Sequence, residues 1–501
     1  MARSDWFFLV LFTVLLFLIV LIAELLRRTR GWPPETTRKI VHVVVGVMVA
    51  TTPFVLHSMW PMVILGVLFA VIDFFAVRRG ILNGMHGTRR HTYGTVFYPI
   101  SFVILTVTLW DNHKLILVTA MLIMAISDAV AAIVGERAKK PIVLQLGPET
   151  KSVQGSAAML LTTFLLVIIS CQAAVSLGYY DLSLARIVWI AAIVGIMAMA
   201  SEVISMQGSD NLTVPLASAF AMFYLLTESP HDGLIFTLGM CLALVIALVS
   251  YRLHFLDGGG AVALLLLGTL VFGVGRWTFS VPILAFFILS SLLSKMGKRR
   301  KTKLQSVFEK SGRRDAAQVL ANGGVAGLLL ILWYFLQRDY FYVLYVASLA
   351  AVTADTWATE IGVMARRQPR SVLTFKPVPM GTSGGISLLG MVGSALGASI
   401  IVLFGFIFSP HTSPRLFGYR EAGLVLLAGV LAGLVDSYLG ATVQAQFQCP
   451  LCGKMTEKRH HCDGRQTTFI RGYLWINNDV VNGLCAASAV LIVWIADLLI
   501  R

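Results

Sequence analysis

The chain has 501 residues, of which 57% are hydrophobic and only 13% are charged, and its mean hydropathy is +0.80. This composition excludes an ordinary soluble globular protein and predicts a polytopic membrane protein. The net charge of +15 does not indicate nucleic-acid binding, because most of the 40 Lys and Arg residues fall in alternate connections between apolar runs, as the positive-inside rule requires. We therefore expect the lipid bilayer, and no nucleic acid, as a partner.

Apolar runs long enough to cross a bilayer recur along the whole sequence. They predict an all-α, polytopic membrane helical bundle of about 14–16 transmembrane helices in two tandem related halves. The basic connection after the first run is expected to face the cytosol, which makes that run an uncleaved signal anchor with an outside N-terminus. We expect an integral, multi-pass membrane protein whose catalytic loops are cytosolic, in the plasma membrane if the source is prokaryotic. The runs lie near residues 6–26, 40–57, 60–77, 95–110, 114–135, 155–175, 187–206, 213–228, 234–251, 259–275, 279–294, 316–337, 341–362, 384–408, 421–441 and 478–499.

An aspartate lies near the end of one predicted helix in each half. Asp128 and Gly135 are placed on one helix face by their spacing, and Asp355 and Gly362 repeat that spacing. A carboxylate inside the membrane costs several kcal/mol unless a cation or a metal lies beside it, so each aspartate is a candidate functional residue. We expect Asp128 and Asp355 to hold Mg²⁺ and to be catalytic.

Basic, glycine-containing connections flank both aspartates. Cations and free backbone N–H groups at a helix N-terminus together favour phosphate, so we expect these connections to bind a nucleotide. The alternative is an ordinary positive-inside loop. The predicted phosphate-binding residues of the first half are Arg89, Arg90, Tyr93, Gly94, Gly135, Lys139, Lys140, Lys151, Ser152, Gly155 and Asn211. Those of the second half are Arg314, Asn322, Arg366, Arg367, Lys376, Gly381, Thr382, Gly384, Gly385, Asn478 and Asn482.

Further acids follow each aspartate along the chain. Glu202 comes at the end of one predicted helix and Asp210 in the short predicted loop that follows, where they are candidates to complete a catalytic metal site. An asparagine-containing helix cap explains Asp210 and its neighbour Asn211 almost as well. Asp436 and Asp479 are the corresponding catalytic candidates in the second half.

The three consecutive glycines at 258–260 separate two long apolar runs and mark the predicted domain boundary. We expect one domain at residues 1–255 and a second at 256–501. The spacing from Asp436 to Asp479 is much longer than that from Glu202 to Asp210, which indicates an insertion in the second half, at residues 442–472.

The insertion carries a cluster of potential metal ligands. Its two closely spaced cysteines followed by a His-His-Cys sequence suit a tetrahedral zinc ion in a reducing compartment. Such a site would be structural, because four protein ligands leave no open position for a substrate. The alternative is a set of unligated thiols, since a second pair of cysteines at the same spacing is missing. The candidate ligands are Cys449, Cys452, His460, His461 and Cys462.

The motifs of the first half resemble those of a known kinase family. They are Arg38-Lys39-x-x-His42, Arg90-x-x-Tyr93-Gly94-Thr95, Asp128-x-x-Ala131-x-x-x-Gly135 and Lys151-Ser152-x-x-Gly155-Ser156. With them, residues 35–225 resemble the CTP-dependent polyprenol kinases typified by dolichol kinase and phytol kinase. The resemblance implies that the first half transfers the γ-phosphate of CTP, or of another nucleoside triphosphate, to a long-chain isoprenoid alcohol in the presence of Mg²⁺.

The second half carries a different set of motifs. They are Ala354-Asp355-Thr-Trp-Ala-x-Glu360-Ile-Gly362, Pro379-x-Gly381-Thr-x-Gly384-Gly385, Asp436-Ser-x-x-Gly440-Ala-Thr and Asn477-Asn-Asp-x-Val-Asn482. Residues 260–500 thereby resemble the integral membrane family that includes phytyl-phosphate kinase. The resemblance implies that the second half adds a further phosphate to the prenyl monophosphate.

Two other functions fit parts of the sequence. A CTP-dependent cytidylyltransferase acting on lipids shares the membrane, the nucleotide and the metal, although its characteristic basic and His-Gly-Gly motifs are not found. A membrane transporter also combines tandem halves with embedded acids. Carriers place such acids near the middle of the membrane, whereas these acids are predicted at helix ends beside basic, glycine-containing loops.

Overall fold

The computed structural model describes residues 3–79, 92–144, 146, 149–296, 313–409, 417–462 and 464–500. It confirms the predicted all-α membrane class, because 13 helices within these residues are long and apolar enough to cross a membrane. Two shorter apolar helices, Gly94–Leu109 and Gly258–Gly273, accompany them. Contacts divide the chain into two compact units, Met1–Leu234 and Ile235–Arg501.

Helices account for most of both units. Up to residue 252 they are α1 (Arg3–Arg30), α2 (Pro34–Val55), α3 (Trp60–Arg79), α4 (Gly94–Leu109), α5 (Lys114–Leu122 and Asp128–Arg137, joined by a π-helical turn at Ile123–Ser127), α6 (Val153–Ser176), α7 (Leu184–Ile204), α8 (Asp210–Thr227) and α9 (Pro230–Arg252). The remaining helices are α10 (Gly258–Gly273), α11 (Arg276–Met296), α12 (Ala316–Leu336), α13 (Tyr340–Gly362), α14 (Leu388–Ile407), α15 (Tyr419–Thr442) and α16 (Asn478–Ile500).

Short antiparallel strands form in the connections, which the all-α prediction did not include. A two-stranded sheet of β1 (Val143–Leu144) and β2 (Lys151–Ser152) joins α5 to α6, and β3 (Arg370–Ser371) and β4 (Gly385–Ile386) join α13 to α14 in the same way. The predicted insertion at 442–472 contains five strands in two sheets. They are β5 (Gln446–Gln448), β6 (Met455–Thr456), β7 (His460–His461), β8 (Arg465–Gln466) and β9 (Thr468–Arg471), ordered β6-β5-β9 and β7-β8.

One helix in each unit lies in the interior and carries the embedded aspartate. In the first unit, Ile116, Met121 and Met124 of α5 are fully buried. In the second unit, Tyr342 and Tyr345 of α13 are also fully buried. Their hydroxyl groups donate to the carbonyl oxygens of Gly405 (2.9 Å) and Phe279 (2.7 Å), which satisfies the polar end of each ring.

The two units share a local arrangement after these central helices. In each unit the central helix is followed by a two-stranded sheet and a helix whose N-cap is a serine, Ser152 for α6 and Ser387 for α14. The serine Oγ accepts a hydrogen bond from the backbone N–H three residues later, at 3.2 Å in the first unit and 3.1 Å in the second.

Glycines bring the capped helix against the central helix in both units. A Cβ atom on Gly155 would lie 2.9 Å from the carbonyl oxygen of Ala131, and one on Gly390 would lie 3.1 Å from that of Ala358. The first distance is too short for any Cβ atom and the second is tighter than nearly all Cβ contacts. The glycines therefore allow α6 and α14 to begin directly beside the carboxyl-terminal turns of α5 and α13.

Candidate functional site

The first unit gathers three acids and a lysine from four elements. Lys151 in β2 places its Nζ atom 2.6 Å from Oε1 of Glu202 in α7 and 4.0 Å from Oδ2 of Asp210 at the start of α8. Asp128 in α5 lies close enough for the charges of Asp210, Lys151 and Glu202 to act on it. The structure thus brings together all three predicted acids of the first half and the lysine predicted to bind phosphate. We call these four residues the first cluster.

Lys151 stays charged in this environment. Burial lowers its pKa, but the carboxylates of Glu202 and Asp210 outweigh burial and hold the pKa above its ordinary value of 10.5. The first cluster therefore contains a permanent ammonium group at neutral pH. Because the cluster contains three acids and one lysine, a further positive charge would bring it closer to neutrality.

A histidine and a π-helical turn lie beside the first cluster. The Nε2 atom of His42 lies 3.1 Å from the carbonyl oxygen of Met124 and 4.0 Å from Oδ2 of Asp128. Met124 belongs to the π turn at Ile123–Ser127, and such turns leave carbonyl groups outside the regular helical pattern. His42 therefore holds the turn that immediately precedes Asp128.

The predicted phosphate-binding start of α4 lies against the connection between α7 and α8. The Tyr93 backbone N–H donates to the carbonyl oxygen of Gln207 at 2.9 Å. A Cβ atom on Gly94 would lie 2.8 Å from Nδ2 of Asn211, and one on Gly208 would lie 2.5 Å from the Gly94 backbone nitrogen. Two glycines thus bring Tyr93 and Gly94 beside Asn211, the neighbour of Asp210.

Other predicted residues of the first half lie outside the cluster or outside the described residues. Gly135 packs on the capping serine, since a Cβ atom there would lie 2.9 Å from Oγ of Ser152. Lys139 and Lys140 are exposed after the end of α5. Arg89 and Arg90 lie outside the described residues.

In the second unit the predicted residues surround a cavity of about 910 Å³. It is bordered by the carboxyl-terminal parts of α11, α13 and α15, by the starts of α12, α14 and α16, and by the β3–β4 connection. We call it the second-unit cavity. The predicted residues that line it are Arg314, Asn322, Asp355, Gly381, Thr382, Gly384, Gly385, Asp436, Asn478 and Asn482.

Two of these acids meet directly. The carboxyl groups of Asp355 in α13 and Asp436 in α15 are in hydrogen-bonding contact. Two carboxylates can make this contact only if they share a proton or a cation. The Oδ2 atom of Asp436 is buried and has no hydrogen-bond partner within the described part of the chain.

A buried arginine supplies positive charge to the second-unit cavity. The guanidinium group of Arg314 lies over the rings of Phe286 and Phe287, at 5.7 and 5.9 Å from their centroids, and Glu360 lies close enough to act on its charge. Burial lowers the pKa of Arg314, but an arginine side chain stays protonated in proteins. This charge therefore faces the cavity at neutral pH.

Four residues predicted for the second site are not among the cavity-lining residues. Three of them, Arg366, Arg367 and Lys376, are exposed in the connection that contains β3. Charged side chains without a buried partner stay in contact with solvent. Asp479 is buried in the first turn of α16, and its neighbour Asn478 lines the cavity instead. The sites therefore contain fewer cations than the sequence predicted.

The insertion brings four of its five predicted ligands together. One ligand atom from each of Cys449, Cys452, His461 and Cys462 lies within 4.8 Å of all the others. His460 is not part of this group, so its role as a ligand stays a prediction that the geometry does not support. His460 and His461 are consecutive in strand β7, and consecutive side chains of a strand point to opposite sides.

The donor set of each acidic group suits a hard divalent cation. Mg²⁺ prefers carboxylate oxygens and retains several waters. The Oε2 atom of Glu202 is buried without a hydrogen-bond partner among the described residues, as is Oδ2 of Asp436. An unpaired carboxylate oxygen in each site is therefore available to a cation.

The fold and these sites define a multi-pass helical membrane protein with acids and cations gathered at helix ends. A family model described as Integral membrane protein DUF92 matches residues 241–490. A protein named phytol kinase from Synechocystis sp. is 34% identical over 223 residues, covering 44% of this chain and 91% of that protein. Protein PGR from Arabidopsis thaliana is 31% identical over 273 residues, covering 51% of this chain and 92% of that protein.

An uncharacterized membrane protein of Methanocaldococcus jannaschii is also similar, at 34% identity over 198 residues that cover 39% of this chain and 78% of that protein. No solved structure matches the chain. The chain belongs to this phytol kinase-like family of integral membrane proteins.

Several residues at the sites were absent from the predicted set. His42 was visible only as part of a motif, and nothing in its own neighbourhood showed that it would reach the helix containing Asp128. Glu457 and Gln444 line the second-unit cavity although both belong to the insertion at 442–472. A sequence signal for Glu457 is its position between the two groups of metal ligands.

Proposed function

We propose that the first unit is an isoprenoid alcohol kinase. It would transfer the γ-phosphate of CTP, or of another nucleoside triphosphate, to a prenol such as phytol, geranylgeraniol or dolichol. The observation that carries the proposal is the first cluster, in which Asp128, Glu202 and Asp210 surround Lys151. The relative named phytol kinase and the motifs shared with polyprenol kinases support the choice of an alcohol as acceptor.

The first cluster provides what phosphoryl transfer requires of a protein, namely positioning and charge neutralisation. Lys151 would neutralise phosphate oxygens, and Gly94 would place its backbone N–H group at the start of α4 beside them. Asp128 and Asp210 would hold Mg²⁺, which when bound neutralises the charge of the phosphates. The Lys151–Glu202 pair would fix the ammonium group in position.

The reaction itself is a displacement at phosphorus. The hydroxyl oxygen of the prenol would bond to the γ-phosphorus while the bond from that phosphorus to the β–γ bridging oxygen breaks, releasing CDP. The hydroxyl proton would pass to a carboxylate of the first cluster. The isoprenoid tail would stay among the apolar helices or in the lipid, and its hydroxyl end would reach the helix ends where the acids lie.

The second unit would catalyse a second phosphorylation, converting the prenyl monophosphate to the diphosphate. Asp355 and Asp436 would hold the cation, and Arg314 would face the phosphate groups. We also propose that the two units are tandem copies. The shared order of central helix, two-stranded sheet and serine-capped helix supports this, as do the matching contacts of Gly155 and Gly390.

We place both sites on the cytosolic side of the membrane. The concentration of Lys and Arg in the connections near them supports this orientation. Nucleoside triphosphates are available there, and a monophosphate made by one unit would remain in the same membrane for the other.

The proposal is tested by following the two ends of CTP separately. The purified full-length protein is incubated with phytol, Mg²⁺ and CTP labelled either at the γ- or at the α-phosphate. We expect the γ label in the lipid and unlabelled lipid from the α-labelled nucleotide, with CDP as the other product. Transfer of the α label together with release of pyrophosphate would show a cytidylyltransferase instead.

A matched pair of variants ties the activity to the first cluster. Asp210→Asn removes one carboxylate of the cluster, whereas Asp181→Asn changes an exposed acid in the connection before α7. We expect at least a 100-fold loss of γ-phosphate transfer to phytol in the first variant and no change in the second. Equal activity in both would contradict the proposed site.

A further inference from the structure

The connection between α15 and α16 folds around the group of four potential metal ligands. Cys449 is fully buried, and the Nδ1 atom of His461 lies 3.5 Å from Sγ of Cys452 and 3.1 Å from Sγ of Cys462. All three cysteines are free thiols. Three sulfur atoms and one imidazole nitrogen around a common centre form the donor set of a structural zinc site.

The backbone is shaped to present these ligands. The Gly453 N–H donates to the Cys449 carbonyl oxygen at 2.9 Å, and the Cys449 N–H donates to the Lys454 carbonyl oxygen at 3.0 Å, which closes a tight turn around Cys452. Gly453 has a φ of +69°, and Cys462 has a φ of +36°. A positive φ at a non-glycine residue carries strain, so the fold accepts strain where it directs the third thiol toward the others.

We propose that Cys449, Cys452, His461 and Cys462 bind one Zn²⁺ ion, and that this ion fixes the connection so that Glu457 borders the second-unit cavity. The inference does not depend on the function proposed above. The sequence predicted a zinc site that only stabilises a loop. We now propose that the same site also positions a residue of the cavity wall.

In the sequence, Glu457 lies between the first two ligands, Cys449 and Cys452, and the last two, His461 and Cys462. It follows β6, which pairs with β5 next to Cys449, and it precedes β7, which contains His461. Ser383 of the β3–β4 connection donates to Oε1 of Glu457 at 2.7 Å. Glu457 also lies close enough to act electrostatically on Asp436. A metal that clamps both flanks of this segment therefore determines where Glu457 lies, the fourth cavity-lining acid beside Asp355, Glu360 and Asp436.

The first test is metal content. The full-length protein, purified from cells supplied with zinc, is analysed by elemental mass spectrometry as wild type and as His461→Ala and His460→Ala variants. We expect about one zinc per chain in the wild type and in His460→Ala, and less than about one fifth of that in His461→Ala. The two variants differ only in which side of β7 loses its imidazole.

Wild-type protein without zinc, or equal zinc in both histidine variants, would overturn the proposal. If His461→Ala does not fold, Cys452→Ser replaces it, with the exposed Cys241→Ser as the matched control outside the site. Chelation of the folded wild-type protein provides a further measurement that needs no variant.

The second test addresses the link to the cavity. Hydrogen–deuterium exchange is measured before and after chelation of zinc. We expect faster exchange in the insertion and also in residues 381–387, because the Ser383–Glu457 hydrogen bond is lost with the clamp. In Glu457→Ala, which keeps all four ligands, chelation should speed exchange in the insertion alone. Unchanged exchange at 381–387 in the wild type after zinc removal would contradict the role of Glu457.

Discussion

Lys151 is the residue on which the charge balance of the first unit depends. Its ammonium group lies between Glu202 and Asp210 and acts on Asp128, and its side chain is only 17% exposed. A partly buried acid without its cation costs far more than an exposed one. The residue is therefore expected to stabilise the fold as well as to bind phosphate.

Replacement of Lys151 tests both roles at once. We expect Lys151→Met to lower the free energy of unfolding by about 3–5 kcal/mol, because the carboxylates lose their buried partner. Its phosphorylation activity should fall at least 100-fold. Thermal unfolding in detergent and the phytol phosphorylation assay measure the two effects.

The control is Lys140→Met, which removes an exposed lysine from the same connection and should change neither quantity by much. The double variant Lys151→Met with Glu202→Gln should recover much of the stability and none of the activity. If Lys151→Met is as stable as the wild type, Lys151 does not neutralise the buried carboxylates of the first cluster as described.

The contact between Asp355 and Asp436 leads to a second prediction at this scale. Without a cation the two carboxyl groups compete for one proton, so Asp436→Asn should raise the unfolding temperature in metal-free buffer, by about 2–4 °C for each kcal/mol gained. Addition of millimolar Mg²⁺ should stabilise the wild type more than the variant, which keeps only the Mg²⁺ site proposed for the first cluster. Equal stabilisation of both by Mg²⁺ would exclude Asp436 as a metal ligand.

At the scale of elements, the π turn in α5 is the feature that sets the position of Asp128. Gly46 of α2 packs against it, since a Cβ atom there would lie 2.4 Å from the Cβ atom of Ala125. Neither atom belongs to a flexible side chain, so α2 and α5 would have to move apart to accommodate a methyl group.

Gly46→Ala should therefore destabilise the first unit by about 1–3 kcal/mol and reduce phosphorylation of phytol, because His42 would be displaced from the turn. Gly423→Ala in α15 is the control, because nothing lies within 4 Å of a Cβ atom at that position. It should be neutral or stabilising by up to about 1 kcal/mol. An unfolding temperature that is unchanged in Gly46→Ala would show that the helices do not pack as described.

The helices were predictable because a bilayer imposes length and hydropathy on them. Each predicted apolar run corresponds to a helix, including α8, whose first residue, Asp210, was predicted to lie in a loop. The π turn before Asp128 and the small sheets after α5 and α13 were not predicted. They depend on contacts such as His42 with Met124, which join residues far apart in the sequence.

The candidate sites were predictable to a similar extent. The acids recur at matching places in both halves, and Asp128, Lys151, Glu202 and Asp210 do come together. Sequence did not distinguish cations that enter a site, such as Arg314, from those that face outward, such as Arg366, because both follow the same positive-inside bias.

At the scale of the whole molecule, each compact unit holds its own group of acids. The first cluster lies entirely within Met1–Leu234, and the second-unit cavity lies entirely within Ile235–Arg501. The predicted boundary after residue 255 stays a prediction, as does the division of labour between the two halves.

The central claim is that each unit carries one phosphorylation site, and product analysis of two variants tests it most directly. Asp128→Asn and Asp355→Asn proteins are each supplied with Mg²⁺, CTP and either phytol or phytyl monophosphate, and the lipid products are identified by mass spectrometry. We predict that Asp128→Asn leaves phytol unchanged but still converts the monophosphate to the diphosphate, whereas Asp355→Asn accumulates the monophosphate. Formation of the diphosphate by Asp355→Asn, or the same product pattern in both variants, would contradict the claim.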